Sequence, residues 1–532
     1  MEIIPAKGVY LPGEPIKLFL ENNNRDTVHI TVTSLDAVAE ETVIACESEK
    51  TEIVLKENYI PEKGYGVVCI NDAGESCCTA FDVQNGIRIY RYGFLSDFSP
   101  DDAGSTDTEC LAKYHINIVQ FYDWVYRHDA FLPPSDEYAD LMGKKNALSV
   151  IKMKIEQCHK RGMKALGYGA VYAAGAEFAE KHPGWRLYAE KGKPLLFIDV
   201  FSIMNLRSAW HEHIISEYGK AVHEVGFDGI HMDTYGFPKT AYDEKGNVVH
   251  LENDFVELIH DTREQLHDAT LIFNNVGAWP LEETMRTEVD AVYIEVWPPF
   301  DKYHHLRDLI LKAGTSGKPV ILAAYPAAFR TDTPKRGLNS QLVLMSAVAA
   351  NGASQLWYGE ENAAITQGYY VDYYKLPKEH EYVLRRYNDF FVRYEELLYD
   401  STLKDVGMTH FGWDNVEYQC SHPCSADGRA GAIWLMIREK PGKKLICMLN
   451  LCGDESENWA DGRNDVLDQE NVVLSVQFFG TIKKIISASP DFEYGNCKGC
   501  EYTVLYKKQG PRVDIKIDRI HRFTFVLIET EE

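Results

Sequence analysis

The chain has 532 residues, of which 45% are hydrophobic and 25% charged, and its formal net charge at pH 7 is -25. This composition is typical of a soluble globular protein with roughly two to four domains. The charge would repel nucleic acid and anionic membranes. No segment reaches the roughly 20 uninterrupted apolar residues of a membrane span. Neither a nucleic acid nor a membrane is therefore predicted as a partner, whereas a neutral polymer is compatible with this charge.

Residues 1–88 predict an immunoglobulin-like β-sandwich. Short alternating apolar runs lie at residues 16–20, 28–32, 52–55 and 66–70, with turn residues between them. The first seven residues contain no basic segment followed by an apolar one, so no signal peptide is visible and a cytoplasmic location is expected. An export signal removed ahead of residue 1 would instead make the protein secreted.

Residues 89–400 alternate between β-rich and helical segments, which predicts parallel βα units. We expect eight strands, at residues 116–121, 164–172, 195–204, 229–233, 270–274, 291–296, 319–324 and 353–358, and helices that include residues 147–161, 209–225 and 253–266. Eight such units form a (β/α)8 TIM barrel, whose active site lies at the carboxyl ends of the strands. On this count Asp233 ends strand four and Glu295 ends strand six.

A helix at residues 379–398 closes this domain, and residues 401–532 turn β-rich again. Apolar runs at 432–437, 445–449 and 523–528 predict a C-terminal β-sandwich. The 12 cysteines include neighbours at 77 and 78, a pair at 420 and 424, and a CxxC at 497–500. Since no second ligand pair stands in register with any of them, we interpret them as reduced structural thiols and not as a zinc or redox site, and predict no metal and no cofactor.

Two carboxylates at predicted strand ends are the main functional signal. Asp233 ends the stretch GFDGIHMD (226–233), and Glu295 ends AVYIE (291–295) just before Trp297 and two prolines. A retaining glycosidase needs an ionised carboxylate nucleophile and a second carboxyl, about 5–5.5 Å away, whose pKa is raised. Hydrogen-bonding neighbours favour Asp233 as the nucleophile, and aromatic neighbours favour Glu295 as the acid/base. Either acid alone would more often be a helix cap or an ion-pair partner.

Other predicted strand ends carry aromatic and polar side chains that suit sugar binding, because the mouth of a barrel faces solvent. QFYDW (120–124) offers a carboxylate for hydroxyl groups and rings for stacking; core packing with an Asp123–Arg127 ion pair is the alternative. The predicted substrate contacts are Tyr122, Asp123, Trp124, His128, Tyr172, Asn275, Trp279, Trp297, Tyr325, Tyr358 and Glu360.

The set QFYDW, GFDGIHMDTYG (226–236) and EVWPP (295–299) resembles glycoside hydrolase family 66, and RYGFLSDF (91–98) is similar to that family's entry into its barrel. The family comprises dextranases and cycloisomaltooligosaccharide glucanotransferases, retaining enzymes that act on α-1,6-glucan. The resemblance covers nearly the whole chain. It implies an immunoglobulin-like domain, a (β/α)8 barrel and a C-terminal β-domain, with Asp233 as nucleophile, Glu295 as acid/base, and Asp123 beside aromatic residues in the glucose subsites.

The expected activity is therefore endo-acting hydrolysis of α-1,6-glucosidic linkages in dextran or isomaltooligosaccharides. The family's transferases carry a carbohydrate-binding module inserted in the barrel. Here the segments between the predicted strands are short, including residues 326–341, which favours hydrolysis over cyclisation. The closest alternative is a cycloisomaltooligosaccharide glucanotransferase, in which a sugar hydroxyl replaces water. A more distant one is a non-catalytic carbohydrate-binding protein, which the presence of both acids disfavours.

Overall fold

A curled, mainly parallel sheet lies at the centre of the computed structural model, which describes residues 1–22, 26–190, 193–368, 373–508 and 510–531. Its parallel strands follow one another along the chain as Tyr92–Leu95, Ile118–Phe121, Lys164–Ala170, Gly229–Asp233, Thr270–Val276, Ala291–Glu295, Val320–Ala323 and Ser354–Gln355, here numbered one to eight. Tyr358–Gly359, which continues strand eight, pairs in parallel with strand one. The first and last strands are therefore hydrogen-bonded neighbours, and all eight point their carboxyl ends the same way.

Helices connect most of these strands, and their apolar residues explain where they pack. In Leu251–Gln265 the buried positions include 251, 255, 258, 259 and 262, the spacing of one helical face. Gly226, at φ 102, ends the segment before strand four in the left-handed conformation that glycine tolerates best. The helices from residue 106 to 398 are Thr106–Lys113, Leu148–Lys160, Ala176–Lys181, Trp210–Lys220 with a π turn at Ala221–Val225, Leu251–Gln265, Leu281–Thr284, Tyr303–Gly314, Ala328–Thr331, Pro334–Ala350, Lys378–Arg393 and Glu395–Leu398.

The prediction that residues 195–204 form a strand of the central sheet is wrong. They form an antiparallel hairpin of Leu196–Phe197 and Phe201–Ile203, and strand one is Tyr92–Leu95 instead. The run at 195–204 resembles a buried strand because a short hairpin contains the same apolar residue types. Strand one is not predicted because it has only four residues, too few to give a clear pattern. One strand is gained before Asp233 and one is lost, so Asp233 still ends strand four and Glu295 still ends strand six.

Two sheets precede the central one. Glu2–Pro5, Lys17–Glu21 and Lys50–Val54 form the first, and Thr27–Ser34, Ala37–Ala45, Lys63–Asn71 and Ser76–Val83 form the second. Alternate residues of Thr27–Ser34 are buried (Val28, Ile30 and Val32), and they share one apolar core with Leu18 of the first sheet. The predicted β-rich segment of alternating strands is therefore present.

The region after residue 400 also contains two sheets. One holds Lys404–Asp405, Ile433–Lys440, Lys443–Asn450, Phe523–Glu531, Thr481–Ala488 and Lys498–Gly499, with Cys424–Ser425 beside Ile433–Lys440; the other holds Tyr418–Cys420, Gln469–Gln477, Gly510–Ile520 and Glu501–Lys507. Ile433 and Leu435 face the core between these sheets, whereas Trp434 and Met436 join the core around the central sheet. The first of these sheets is thus buried on both faces and ties the C-terminal region to the centre.

Short elements fill the connections. They are the strands Glu137–Ala139, Lys145–Ala147, Ala173–Gly175, Tyr188–Glu190, Lys193–Pro194, Thr240–Tyr242, Val248–His250, Ala363–Ile365 and Tyr373–Lys375, the helix Gly407–His410 and the 3-10 turns Pro183–Trp185 and Glu493–Gly495. No helix of the described residues combines the length and apolar character needed to cross a membrane. All twelve cysteines are free thiols.

Buried Arg91 connects the N-terminal sheets to the centre. Its guanidinium donates to both carboxylate oxygens of Asp82, at 2.9 and 3.0 Å, and to Glu395 at 3.3 Å. A buried cation needs such partners, since an unpaired charge in the interior is strongly unfavourable. The domain boundaries at residues 88 and 400 stay a prediction.

Candidate active site

Strand five brings the two predicted catalytic acids together. It lies between strand four, which ends at Asp233, and strand six, which ends at Glu295. The amide nitrogen of Asn274 donates to Asp233 Oδ1 at 2.7 Å and to Glu295 Oε2 at 3.1 Å. One nitrogen atom thus bridges both carboxyls. The orientation of this amide follows from its two acceptors, since only the nitrogen can donate.

Glu295 is held by a second set of contacts. The Tyr325 hydroxyl donates to Glu295 Oε1 at 3.1 Å, and the Trp297 side chain also hydrogen-bonds to this carboxyl. Gly368 approaches the same oxygen, and a Cβ atom on it would lie 2.5 Å from Glu295 Oε1 and 3.0 Å from the Tyr325 hydroxyl. Only glycine therefore allows the chain to pass this close to the carboxyl.

Burial opposes negative charge on both acids. It raises the pKa of Asp233 to about 7, and the neighbouring charge of Glu295 adds to that rise while the Asn274 amide counteracts it. Burial also raises the pKa of Glu295, against the hydrogen bonds from Asn274, Trp297 and Tyr325. Two carboxyls in one buried site disfavour a double negative charge, so the pair retains a proton at higher pH than an isolated acid would.

The sequence-based reason for placing the charge on Asp233 holds only for the backbone of Thr234, which lowers the pKa of that carboxyl. The ring of His231 hydrogen-bonds to the Tyr92 hydroxyl at 2.8 Å, and burial lowers its pKa to about 3, which keeps it neutral. The Thr234 hydroxyl donates to the Asn274 carbonyl. The side chains of His231 and Thr234 are close to Asp233 in sequence but hydrogen-bond elsewhere, and the contacts that lower the pKa of Asp233 come from the Asn274 amide and the Thr234 backbone.

A cavity of about 290 Å³ opens over the two acids. Its lining contains Tyr122, Asp123, His128, Tyr168, Phe197, Ile198, Phe201, Asp233, Thr234, Tyr235, Val276, Glu295, Trp297 and Gly368. His128 Nε2 lies 3.6 Å from Asp123 Oδ1, and the His128 ring stacks on Phe201 at 4.4 Å. Asp123 therefore faces His128, and the guanidinium of Arg127 instead lies over the Tyr126 ring.

The family model of glycosyl hydrolase family 66 matches residues 5–527. The chain belongs to glycosyl hydrolase family 66. Two curated relatives of this family 66 chain, both from Niallia circulans, are cycloisomaltooligosaccharide glucanotransferases. One is 28% identical over 282 residues, 46% of this chain and 29% of the relative's length. The other is 20% identical over 700 aligned positions, 98% of this chain and 72% of the relative.

A solved structure shows the same fold. The cycloisomaltooligosaccharide glucanotransferase of Paenibacillus sp., complexed with cycloisomaltoheptaose, superposes with a TM-score of 0.90 over 99% of both chains at 19% identity. A maltogenic α-amylase from Thermotoga neapolitana gives a TM-score of 0.51 at 12% identity, covering 83% of this chain. The family 66 chain thus shares its whole architecture with the first and its general layout with the second.

Four of the predicted substrate contacts in this family 66 chain are buried structural residues. Trp124 donates to the Tyr168 carbonyl at 3.1 Å inside the core. The Tyr172 hydroxyl donates to the Phe237 carbonyl, and that of Tyr358 donates to Asn362. Asn275 donates to the Tyr293 carbonyl and accepts from Thr284 at 2.6 Å. Successive strand residues face opposite sides, so Asn274 enters the site while Asn275 points outward.

Two further predicted contacts also lie outside the cavity lining. The Trp279 ring packs edge-on against Phe255 with Lys239 over its face. The Glu360 carboxylate accepts from the Ser96 and Asp97 amides and from the Tyr373 hydroxyl, and burial raises its pKa to about 7. Tyr122, Asp123, His128 and Trp297 line the cavity, and Tyr325 touches Glu295, so their contact with substrate stays a prediction.

The family 66 site contains residues that sequence reasoning did not assign to it. Asn274 was missed in favour of its neighbour, and Tyr168 in favour of Tyr172 on the same stretch. Strand periodicity is the signal for Asn274, because Asn274 and Asn275 face opposite sides of strand five. It gives none for Tyr168, because Tyr172 is four residues away and lies beyond the end of strand three at Ala170. The sequence gives no signal that Phe197, Ile198 and Phe201 line the cavity, because it predicts this run as a strand of the central sheet and not as a hairpin beside the site.

Two groups of potential metal ligands occur among the described residues, and neither lines the cavity. Asp102, Asp107 and Glu360 form one, and the Lys154 ammonium lies against both aspartates. That cation offsets part of the negative charge of the cluster. His260, Asp261 and Glu264 form the other, on one helix at the surface.

Removing the Asn274 amide should move the pH dependence of the family 66 site upward. The hydrogen bonds that Asn274 donates lower the pKa of both acids. Asn274→Ala should therefore raise both pKa values, so that both limbs of the pH profile of kcat/KM shift to higher pH. We also expect kcat/KM to fall roughly tenfold. Asn274→Asp adds a third negative charge and should shift them further. In Asn275→Ala, the matched control, both limbs should stay in place. A downward shift for Asn274→Ala would contradict this role.

Proposed function

We propose that this chain is a retaining, endo-acting glycoside hydrolase that cleaves α-1,6-glucosidic linkages in dextran or isomaltooligosaccharides. We further propose that its curled sheet is a (β/α)8 barrel flanked by two β-sandwiches. The observation that carries the reaction type is the Asn274 amide between Asp233 and Glu295. The Asn274 nitrogen lies 2.7 Å from Asp233 Oδ1 and 3.1 Å from Glu295 Oε2, so these two oxygens are less than about 6 Å apart. This fits the separation of about 5–5.5 Å between the two carboxyl groups of retaining glycosidases.

In the first step, an Asp233 oxygen attacks the anomeric carbon while Glu295 gives its proton to the departing glycosidic oxygen. The products are a glycosyl ester on Asp233 and a sugar with a free hydroxyl. The reaction requires the singly protonated pair, and the raised pKa values keep that proton in the site near neutral pH. Asn274 and Tyr325 hold the two carboxyls in place for the transfer.

In the second step, Glu295 removes a proton from water, whose oxygen attacks the anomeric carbon and releases Asp233. Forming the ester removes the negative charge of Asp233, which was opposing ionisation of its neighbour. The pKa of Glu295 then falls, and the same residue that acted as an acid becomes the base. Two inversions at one carbon give overall retention.

The substrate class rests on the relatives and on the cavity. The curated relatives and the solved relative are named for cycloisomaltooligosaccharides, and the latter holds cycloisomaltoheptaose. In this chain the cavity sets Asp123 and His128 beside the rings of Tyr122 and Trp297. Hydrogen-bonding groups together with apolar ring faces suit a neutral sugar.

Transfer to a sugar hydroxyl is the second candidate, favoured by the names of those relatives. The chemistry is the same until a glucan hydroxyl replaces water at the glycosyl–Asp233 ester. Between strands seven and eight, the described residues 324–353 form the helices Ala328–Thr331 and Pro334–Ala350, a compact connection. We place hydrolysis first on that ground. The cytoplasmic location stays a prediction.

Product analysis separates these candidates. The protein is incubated with dextran and with isomaltooligosaccharides, and the products are resolved by size. Only shorter linear products support hydrolysis, and cyclic or lengthened products support transfer. Activity confined to α-1,4 or β-linked glucans would reject the substrate and retain the mechanism. No turnover of any glucan would favour the non-catalytic binding protein.

A further inference from the structure

One side of the cavity is an apolar wall, formed by Phe197, Ile198, Phe201, Tyr235 and Phe237. The rings of Phe197 and Tyr235 stack at 3.8 Å, and Phe237 continues the row 5.8 Å from Phe197. Four of the five residues line the cavity over Asp233 and Glu295. The wall therefore extends from the cavity lining outward to Phe237.

The outer end of the wall is exposed to solvent. Ile198 is 46% exposed and Phe237 36%, although both adjoin a row of packed rings. Leu196, beside them on the hairpin, is 43% exposed. Clustered exposed apolar side chains at the rim of a cavity typically mark a surface that a ligand covers.

The backbone under Ile198 is strained. Three residues join Leu196–Phe197 to Phe201–Ile203, and the first two, Ile198 and Asp199, have φ values of 47 and 57. A β-branched residue rarely adopts this left-handed conformation, whereas asparagine or glycine does so easily. An isoleucine at this turn presents an apolar side chain to the cavity at the expense of local backbone stability. Such outliers concentrate at functional sites.

We propose that Ile198 and Phe237 form an outer sugar-binding platform that sets the preferred length of the glucan chain. This inference rests on the proposed function. A pyranose ring has apolar C–H faces and a polar rim, and the cavity offers an apolar wall on one side with Asp123 and His128 among its other lining residues. Glucose units beyond those held at Asp233 and Glu295 would lie along the exposed end of the wall.

The test is Ile198→Asn, which removes the apolar contact and fits the left-handed turn. We expect kcat/KM to fall about tenfold on isomaltoheptaose and by a much smaller factor on the shortest isomaltooligosaccharide that the protein cleaves. The melting temperature should rise, because the strain is relieved. Ile198→Val, which keeps a branched apolar side chain, should retain most of the activity on the long substrate, and Phe237→Ala should repeat the selective loss.

Leu35→Asn is the matched control, since Leu35 has a φ of 50 in a turn of the N-terminal sheets. It should relieve similar strain without altering the dependence on chain length. Equal loss on short and long substrates, or no loss in Ile198→Asn, would overturn the platform. Wild-type protein inactive on every isomaltooligosaccharide would instead overturn the proposed function, and this is seen before any variant is made.

Discussion

Asp233→Ala should lose roughly 10⁴-fold or more in kcat/KM on isomaltooligosaccharides, because it removes the carboxylate that we propose forms the glycosyl ester. The shortened side chain leaves room beside the anomeric carbon. Azide added to this variant should enter that space and attack from the face that Asp233 occupied. On an α-glucosyl substrate with a good leaving group, the product should be the β-glucosyl azide, identified by NMR.

Asp123→Ala is the control for this experiment. Asp123 is a carboxylate in the same cavity, 3.6 Å from His128, and its charge also raises the pKa of Asp233. Its loss should weaken substrate binding, and azide should not restore activity. Rescue of Asp123→Ala with inversion, or an α-glucosyl azide from Asp233→Ala, would show that the nucleophile has been assigned to the wrong residue.

Glu295→Ala should give a loss that depends on the leaving group. A sugar leaving group needs a proton, so cleavage of isomaltooligosaccharides should fall about 10³-fold or more. A dinitrophenyl or fluoride leaving group departs without one, so formation of the glycosyl ester from such substrates should be nearly normal. Azide should then resolve the ester from the opposite face and yield the α-glucosyl azide, the reverse of the result for Asp233→Ala.

Tyr325→Phe provides the comparison for Glu295. It removes the hydroxyl that donates to Glu295 Oε1 at 3.1 Å and leaves the carboxyl in place. That hydrogen bond lowers the pKa of Glu295, so its loss should raise the pKa and move the corresponding limb of the pH profile upward. A uniform loss in Glu295→Ala across all leaving groups would argue for a structural role and against acid catalysis.

Much of the site was predictable because motifs placed the acids at strand ends. Asp233 and Glu295 each follow an apolar run that is buried in the sheet, and the structure brings them to one amide. The pairing of Asn274 with both carboxyls was not predictable, because it depends on the twist and register of three adjacent strands. The choice between Asn274 and Asn275 required only the side-chain alternation of strand five.

Other errors have a different physical origin. His231 is two residues from Asp233, yet its ring hydrogen-bonds to Tyr92 from strand one, a partner 139 residues away in sequence. The hairpin at 195–204 has the sequence pattern of a strand, and only the structure shows that Ile198 and Asp199 turn the chain in the left-handed conformation. Sequence proximity thus says little about which groups stabilise a charge in a site assembled from separate strands.

The most direct measurement is the identity of the covalent intermediate. Glu295→Gln is mixed with a fluorinated isomaltosyl fluoride, whose leaving group needs no acid and whose ring fluorine slows hydrolysis of the ester. The protein is then denatured, digested and analysed by mass spectrometry. We expect one glycosyl adduct, on the peptide that contains Asp233 and lost in Asp233→Ala. An adduct on another residue, or turnover of substrate with inverted products and no adduct, would contradict the double displacement at these two acids.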